Sequence, residues 1–409
     1  MKRVCVIGLG YIGLPTASLL ATRGYRVSGM DVSSTVVDTI NRGEIHIIEP
    51  ELDVLVRSAV QSGNLRAALT PAEADVFIIA VPTPATAHHQ PDLSHVAAAA
   101  RSIAPYVRPG NLVILESTSP VGTTEHVVAA TLRAAGVKAG SEVFAAYCPE
   151  RVLPGRILTE LIENDRVVGG IDEESTRVAV AFYETFVRGQ IFPTDSRTAE
   201  MVKLTENSFR DVNIAFANEL SLICGKEGID VWELIALANR HPRVKILKPG
   251  PGVGGHCIAV DPWFIVAGAP EQARLIRMAR EVNDSKPDWV VARVEEAAAH
   301  NKSARIACLG LSYKADIADL RESPAVAIVH KLMQRHAGRL LVCEPNLPHH
   351  PEFKLITLEE AVRQAGILLI LVDHSPFRSL KQMDLTGKVL IDTTGLFAWG
   401  KRAAPNRLP

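Results

Sequence analysis

Short apolar runs alternate with helical patterns from the N-terminus to about residue 195 of the 409-residue chain. Val- and Ile-rich runs separated by amphipathic stretches are typical of parallel strands that are connected by helices. The strand candidates are RVCVIGL, YRVSGMD, DVFIIAV, NLVILES, EVFAAY and RVVGG. The alternation predicts a parallel sheet covered by helices on both faces.

This rhythm stops at about Ser196, where three helical patterns follow over 196–225, 231–239 and 271–300. The apolar runs RIACLGL, RLLVCEP, GILLILVD and KVLIDTT then restore the alternation of strands and helices. We predict an α/β protein in which two Rossmann-like, doubly wound parallel-sheet domains are joined by a central helical region. The predicted domains are a first Rossmann-like domain over 1–195, a central helical region over 196–300, and a second Rossmann-like domain over 301–409.

A glycine cluster joins the first strand to the first helix. Gly8, Gly10 and Gly13 form GLGYIG directly after RVCVI, and Asp31 closes the next strand. Glycines there let the backbone approach a pyrophosphate at a helix N-terminus, where N–H groups and the dipole favour negative charge. Asp31 would accept both ribose hydroxyls and repel a 2′-phosphate, so NAD is the expected cofactor. A tight turn without a ligand would explain one glycine but hardly three.

Two further turns follow buried-strand runs. VPTP carries Thr83, and ESTSPVG carries Glu116 and Thr118. All three side chains are candidates to line the cofactor, although plain turn chemistry explains such Ser/Thr/Pro clusters equally well.

The first long helical pattern has two contrasting faces. Its apolar residues, at helical spacing, predict a core-facing stripe made of Phe209, Val212, Phe216, Leu220 and Ile223. The opposite face carries Lys203, Asn207, Arg210 and Asn218, with Asp211 at its margin. A solvated surface is one explanation, but asparagines are poor helix formers there. A buried lysine beside an amide would stabilise an oxyanion.

One thiol lies in a loop with almost no side chains. In GPGVGGHCIAVDPW, Cys257 precedes a helical pattern, and Asp261 would lie one turn beyond it. A helix N-terminus lowers the pKa of a thiol, although a buried cysteine in a tight turn remains the alternative. A nucleophilic cysteine beside NAD can hold an aldehyde as a thiohemiacetal and then as a thioester, which converts an alcohol into a carboxylate.

Composition excludes several classes of partner. Lys plus Arg (44) against Asp plus Glu (45) gives a net charge of −1, so no global field attracts nucleic acid or an anionic membrane. No apolar run has the length of a membrane span. The six cysteines have neither CxxC nor metal-type spacing, so we expect reduced thiols in a cytoplasmic protein without a metal, with Cys5, Cys308 and Cys343 in the core.

Six stretches in order resemble the NAD-dependent nucleotide-sugar 6-dehydrogenases, a family that includes UDP-glucose and GDP-mannose enzymes. They are GLGYIGLP, VPTP, ESTSPVGTTE, KLTENSFRDVNIAFANEL, GPGVGGHC and GLSYKADIADLRESP. YCPERVLPG, NRHPRVKIL and HCIAVDPWFI resemble most the branch that oxidises UDP-N-acetyl-D-mannosamine. Val260 stands where the UDP-glucose branch has a lysine before the aspartate. The resemblance implies oxidation of the C6 hydroxyl to the uronate for polysaccharide biosynthesis; UDP-N-acetylglucosamine or another UDP-hexose is the alternative substrate.

The resemblance implies that residues 1–195 bind NAD, that 196–300 serve dimerisation and catalysis, and that 301–409 bind the UDP-sugar.

The resemblance also implies roles for individual residues. Cys257 would be the nucleophile, Lys203 with Asn207 would stabilise oxyanions and transfer protons, and Asp261 with Thr118 would orient the water. Glu150 would promote thioester hydrolysis. The implied NAD contacts are Gly8, Gly10, Tyr11, Ile12, Gly13, Asp31, Thr83, Thr118 and Arg321. The implied substrate contacts are Arg151, Val152, Lys203, Asn207, Arg210, His241, Arg243, Gly252, Tyr313 and Lys314. Arg243 would reach in from the neighbouring subunit of a homodimer, and Lys245 and Lys248 would add positive charge.

Two other classes of protein remain as alternatives. A two-electron hydroxyacid dehydrogenase would share the first domain but would need no thiol. A non-catalytic sensor of NAD or of a nucleotide sugar would need neither Lys203, Cys257 nor Asp261.

Overall fold

The computed structural model describes residues 2–397, and the N-terminal part of the chain forms an eight-stranded sheet. The strands lie in the order β3-β2-β1-β4-β5-β6-β7-β8. They are β1 (Arg3–Ile7), β2 (Arg26–Met30), β3 (Leu65–Ala68), β4 (Val76–Ile79), β5 (Leu112–Leu115), β6 (Phe144–Tyr147), β7 (Arg166–Gly170) and β8 (Ile191–Asp195). Six of these strands reproduce the 3-2-1-4-5-6 order of dinucleotide-binding sheets.

Helices connect these strands and cover both faces of the sheet. They are α1 (Gly13–Thr22), α2 (Ser34–Asn41), α3 (Leu52–Gln61), α4 (Ser94–Ile103), α5 (Ala130–Ala134), α6 (Ile157–Glu163) and α7 (Glu173–Tyr183), with a π-helical segment over Thr124–Ala129. Alternate residues of β1 enter different cores, because successive side chains of a strand point to opposite faces. Val4 and Val6 join one apolar cluster, while Cys5 and Ile7 join the other.

The apolar runs correctly predicted six of the eight described strands of this sheet. They did not predict β3 and β8. β3 is short, and its exposed Arg66 interrupts the apolar pattern. β8 pairs only with β7 and contains Pro193 next to the exposed Phe192, which is typical of an edge strand. The sheet is also not wholly parallel, because β7 runs antiparallel to β6.

The middle of the chain is helical, with α8 (Ser196–Glu227), α9 (Val231–Ala238), α10 (Asp261–Gly268) and α11 (Arg274–His300). Our prediction of the core-facing stripe of α8 is wrong. Phe209, Phe216 and Ile223 are 68%, 51% and 51% exposed. The buried side of this helix instead contains Asn207 and Asn218, together with Leu204, Ser208, Asp211, Ala215, Ser221 and Cys224.

The C-terminal part of the chain contains a smaller parallel sheet in the order β10-β9-β11-β12. Its elements are β9 (Ile306–Leu309), α12 (Pro324–Arg335), β10 (Leu340–Cys343), α13 (Leu358–Gln364), β11 (Ile367–Ile370) and β12 (Val389–Asp392). Ile306 and Cys308 join one apolar cluster, and Ala307 and Leu309 join another, so both faces are covered. Cys5, Cys308 and Cys343 are buried, as predicted. Residues 398–409 of the third predicted domain lie outside the described residues.

The described residues divide into two compact units. One unit contains the chain up to Glu206 together with Trp263–Pro270, and the other contains Asn207–Pro262 together with the chain from Glu271 onward. Within residues 2–397, we find no helix with both the length and the apolar character needed to cross a membrane.

Candidate active site

The turn between β1 and α1 requires two of its three glycines for steric reasons. Gly8 has a φ of 90°, and a Cβ there would lie 2.7 Å from the carbonyl oxygen of Ala80. A Cβ on Gly13 would lie 1.7 Å from the carbonyl oxygen of Gly8. Gly10 is exposed and would meet no described atom within 4 Å. The turn is therefore tightly packed beneath and open above, which fits a pyrophosphate at the N-terminus of α1.

Asp31 follows β2 beside this turn. Its Oδ2 accepts the N–H of Leu9 (3.0 Å), and its Oδ1 accepts the N–H of Ser33 (2.9 Å). These two bonds orient a half-buried carboxylate whose remaining lone pairs fit a ribose diol. Tyr11 is 38% exposed and Ile12 is half-buried at the same turn. The residues present therefore fit NAD.

The turns after β4 and β5 are hydrogen-bonded to each other. Thr83 Oγ1 donates to the carbonyl oxygen of Thr118 (2.5 Å), and Ser117 Oγ donates to that of Val81 (2.6 Å). Thr83 and Thr118 are half-buried. Glu116 differs from both, because it is only 3% exposed and accepts the hydroxyl of Tyr183. It lies in a buried cluster of ionisable groups, which argues against our suggestion that it lines the cofactor.

Sequence reasoning missed Glu200, which links the first turn of α8 to the segment after Thr118. One carboxylate oxygen accepts the N–H of Gly122 (2.5 Å), and the other accepts the N–H and the hydroxyl of Thr124 (2.8 and 2.7 Å). Burial raises the pKa of Glu200, although these bonds oppose the shift. The half-buried Lys203 follows on the same helix, and Asn207 lies one turn beyond Lys203.

Cys257 is the exposed one of the six cysteines, and none of the six forms a disulfide. Its carbonyl oxygen accepts the N–H groups of Val260 (3.0 Å) and Asp261 (2.8 Å), so a helical turn leads from the thiol into α10. α10 itself begins only at Asp261. Asn207 Nδ2 donates to Oδ2 of this aspartate (2.5 Å), which is 3% exposed. The structure thus brings Asn207 and Asp261 together, and Asp261 follows Cys257 by one helical turn.

The glycines before Cys257 serve packing within the protein. A Cβ on Gly252 would lie 2.9 Å from Cβ of Pro324, and one on Gly254 would lie 2.6 Å from the carbonyl oxygen of Glu322. A Cβ on Gly255 would lie 2.9 Å from the ring of Tyr313. The three glycines thus let the loop pack closely. Close contact with the segment from Tyr313 to Pro324 accounts for them directly.

A second buried network, also missed from the sequence, holds the start of this loop. Asn218 Oδ1 accepts the N–H of Gly250 (2.8 Å), and its Nδ2 donates to Asn283 Oδ1 (2.8 Å). Asn283 in turn donates to Asp211, which pairs with the buried Arg280 (2.7 Å). Asn218 and Asp211 of α8, together with Asn283 of α11, therefore support the loop that carries Cys257.

The remaining predicted site residues have varied surroundings. Glu150 is 8% exposed and pairs with Arg166. The guanidinium of Arg151 pairs with Glu206 (2.6 Å), and that of Arg321 pairs with Asp319 (2.6 Å). Val152 and Tyr313 are half-buried, and the exposed residues are Arg210, His241, Arg243, Lys245, Lys248 and Lys314.

The glycine turn, the acid after β2 and the exposed thiol together define a dehydrogenase that uses a nicotinamide dinucleotide. The family models agree over most of the chain. Residues 2–187 match the NAD binding domain of the UDP-glucose/GDP-mannose dehydrogenase family, residues 197–285 match its central domain, and residues 307–398 match its UDP binding domain. The chain belongs to this family and is an NAD-dependent nucleotide-sugar dehydrogenase.

Individual relatives divide between two sugars. The chain is 55% identical over 415 residues to the NDP-N-acetyl-D-galactosaminuronic acid dehydrogenase of Ralstonia nicotianae, with 98% of each chain covered. It is also 55% identical over 414 residues to the UDP-N-acetyl-D-mannosamine dehydrogenase of Escherichia coli, with 96% and 99% covered. Among solved structures, the UDP-N-acetyl-mannosamine dehydrogenase of Staphylococcus aureus superimposes with a TM-score of 0.90 at 41% identity, over 98% and 96% of the two chains.

Proposed function

We propose that the protein oxidises the C6 hydroxyl of UDP-N-acetyl-D-mannosamine to UDP-N-acetyl-D-mannosaminuronate, with four electrons passing to two NAD molecules. The observation that carries this proposal is the exposed Cys257 in the turn before the Asn207–Asp261 pair. A two-electron dehydrogenase or a sensor would need no such thiol. The cytoplasm, with reduced thiols and a pool of nucleotide sugars, is the proposed location.

The proposed chemistry has three balanced steps. NAD accepts the hydride in each of the two oxidations. The alcohol first loses a hydride and a proton, which gives the aldehyde. The thiolate of Cys257 adds to the aldehyde carbon, the resulting thiohemiacetal alkoxide loses a second hydride, and a thioester forms. Water then adds to the thioester, the C–S bond breaks, and the carboxylate leaves with release of two protons while the sulfur returns to the thiolate.

The chain supplies the acid–base groups for these steps. Lys203 would accept the proton of the alcohol and stabilise the alkoxide that results, and Asn207 would donate to the same oxygen or keep Asp261 oriented. Asp261 with Thr118 would orient the hydrolytic water, and Glu150 would promote its attack. The half-buried Lys203 and the bond of 2.5 Å between Asn207 and Asp261 support these assignments.

Substrate recognition rests on charge. A UDP pyrophosphate carries about two negative charges, for which arginine and lysine are the usual partners. The proposed contacts are Arg151, Val152, Arg210, His241, Arg243, Gly252, Tyr313 and Lys314, with Lys245 and Lys248 adding to the field. Tyr313, Lys314 and the proposed NAD contact Arg321 fall in the stretch that matches the family's UDP binding domain. UDP-N-acetylgalactosamine is the second candidate substrate, because the Ralstonia relative is as similar as the mannosamine enzyme.

The exposed apolar side of α8 supports a homodimer. Phe209, Phe216 and Ile223 form a stripe along that side, and Leu275 (69%) and Met278 (57%) of α11 are also exposed. A contiguous apolar surface of this kind marks a protein interface, and a second copy would cover it with the same stripe. Arg243 would enter the neighbouring active site across this interface. Sedimentation velocity is expected to give a dimer for the wild type and a monomer for Phe216→Asp.

The experiment that tests the function is a count of NADH released per mole of limiting UDP-N-acetylmannosamine. Two NADH per sugar and uronate are expected from the wild type. Cys257→Ser is expected to stop before the thioester and to form no uronate. Cys224→Ala, which alters a buried thiol, is the matched control and should retain two NADH.

One NADH per sugar, or uronate formation by the serine variant, would contradict the thioester route. Parallel assays with the N-acetylglucosamine and N-acetylgalactosamine epimers identify the sugar. A higher kcat/KM for either epimer would contradict the mannosamine assignment and leave the chemistry intact.

A further inference from the structure

Both carboxylate oxygens of Glu150 are held within its own unit. Oε2 accepts from Nη1 of Arg166 at 2.9 Å, and Oε1 accepts the backbone N–H of Arg151 at 2.7 Å. Because the two bonds come from different directions, they fix the orientation of a carboxylate that is 8% exposed. The position of Glu150 therefore depends on Arg166.

Arg166 is itself almost fully buried, at 2% exposed, at the start of β7. Its Nη2 donates to the carbonyl oxygen of Leu161 (3.1 Å), and its Nε has no partner among the described residues. The guanidinium carbon lies 5.6 Å from the ring centroid of Tyr183 on α7. A buried guanidinium needs carboxylates and an aromatic face to offset its lost hydration. Arg166 is thus held between Glu150 and Tyr183.

Tyr183 connects this ion pair to a second carboxyl group. Its hydroxyl donates to Oε1 of Glu116 (2.7 Å), which follows β5, and Oε2 of Glu116 has no partner among the described residues. Burial and the nearby Glu150 raise the pKa of Glu116 to about 7, although Arg166 and the tyrosine oppose the shift. Near neutral pH this carboxyl therefore alternates between its neutral and charged forms.

We propose that Arg166, Tyr183 and Glu116 are positioning residues for Glu150, and that the charge of Glu116 sets how firmly Arg166 holds the Glu150 carboxylate. When Glu116 is neutral, Arg166 has one anionic partner. When Glu116 is ionised, its charge also attracts the guanidinium electrostatically, and the hold of Arg166 on Glu150 weakens. This inference rests on the proposed function, in which Glu150 promotes hydrolysis of the Cys257 thioester.

Two neighbouring ionisable groups, Cys148 and Tyr183, do not change their charge in the pH range where Glu116 does. Cys148, after β6, belongs to the same cluster, and burial raises the pKa of its thiol to about 12. Burial also raises the pKa of Tyr183 well above its ordinary value. Together with Glu150 and Arg166, these are the titratable groups that influence Glu116 among the described residues, and they come from the segment after β6, from β7 and from α7. Glu116 is the member whose raised pKa falls at neutrality.

The test follows decay of the acyl-enzyme on Cys257 by rapid-quench mass spectrometry, with NAD and UDP-N-acetylmannosamine. Glu116→Gln keeps the shape of the side chain and fixes it in the neutral form. Its decay rate is expected to match the wild type at about pH 6 and to differ by at least about three-fold at about pH 8. Formation of the first NADH should stay unchanged, because Glu150 acts only in hydrolysis. Glu163→Gln, at an exposed site on α6, is the matched control and should follow the wild type throughout.

Arg166→Lys provides a second variant that keeps the charge but not the planar guanidinium. Hydrolysis is expected to slow by about ten-fold, with acyl-enzyme accumulating, while the first hydride transfer stays unchanged. If the adduct forms but Glu116→Gln follows the wild type at both pH values, the inference is overturned and the proposed function stands. If the wild type never forms the adduct, both are overturned.

Discussion

In both α/β sheets, the first strand is followed by a glycine with the same backbone conformation and an equivalent hydrogen bond. Gly8 follows β1 with a φ of 90°, and its N–H donates to the carbonyl oxygen of Met30 at the end of β2 (2.8 Å). Gly310 follows β9 with a φ of 97°, and its N–H donates to that of Cys343 at the end of β10 (2.8 Å). In each sheet the chain therefore leaves the first strand in a conformation that favours glycine.

Each sheet also has an acid after the neighbouring strand, and it accepts the next backbone N–H of the turn. Asp31 accepts that of Leu9 (3.0 Å), and Glu344 accepts that of Leu311 (2.7 Å). The acids then differ in their surroundings. Asp31 is half-buried and bonded to its own turn, whereas Glu344 is 3% exposed and lies 3.0 Å from the fully buried His374.

The segment between the glycine and the next helix differs between the two sheets. α1 begins at Gly13, so its N-terminal N–H groups lie beside the glycine turn. α12 begins only at Pro324, after a longer segment that packs against the loop of Gly254 and Gly255. Its N-cap Ser323 returns to the second turn, where the hydroxyl donates to the carbonyl oxygen of Leu311 (2.6 Å). The longer segment therefore also supports the cysteine loop.

Disrupting the turn between β1 and α1 is expected to have the largest effect. Gly13→Ala would place a Cβ 1.7 Å from the carbonyl oxygen of Gly8, so the turn must open. We expect NAD affinity to fall by more than about 100-fold, measured by titration calorimetry, because the N–H groups of α1 no longer face the pyrophosphate.

Gly10→Ala is the matched control, because a Cβ there would meet no described atom. It should fold as the wild type does, and any loss of affinity should be smaller, since it arises only from contact with the cofactor. Circular dichroism checks that the alanine variants retain their helices. If the two variants bound NAD with equal affinity, the distinction between the glycines needed for packing and the exposed Gly10 would be wrong.

The pattern of apolar runs predicted the strands of both sheets well, because buried parallel strands are apolar on both faces. The pattern failed for α8, where apolar residues at helical spacing are exposed and polar residues are buried. Phe209 and Phe216 are exposed, while Asn207 and Asn218 are buried. Periodicity identifies a helix with two faces but does not tell which face lies in the core of the chain.

The candidate site was predicted in part for a related reason. Spacing along one helix suggested that Lys203 and Asn207 are neighbours, and the loop suggested an accessible Cys257. Contacts between distant segments, such as that of Glu200 with Thr124 or of Arg166 with Glu150, leave no local signal. Glu200 and Arg166 look like ordinary surface charges in the sequence. Only the fold reveals that they are buried and paired.

Substitutions of Glu344 and Asp31 test the comparison of the two sheets with smaller expected effects. Burial opposes ionisation of Glu344, but hydrogen bonds from His374, Leu311 and Asn346 outweigh it and hold its pKa below the ordinary value. Such a carboxylate stabilises the fold above its unfolded-state pKa, and this contribution is lost as the pH falls through the folded-state pKa. Glu344→Gln is expected to lower the free energy of unfolding by about 1–3 kcal/mol at neutral pH, with less further loss in acid than the wild type shows.

The same change of carboxylate to amide at Asp31 should act on binding instead. Asp31→Asn is expected to weaken NAD by about ten-fold, through poorer pairing with the ribose hydroxyls, and to change the free energy of unfolding by less than about 1 kcal/mol. Urea denaturation from acid to neutral pH and NAD titration, applied to both variants, give the four values needed. If Glu344→Gln weakened NAD binding as much as Asp31→Asn did, the buried acid would be part of the cofactor site rather than a structural support of the second turn.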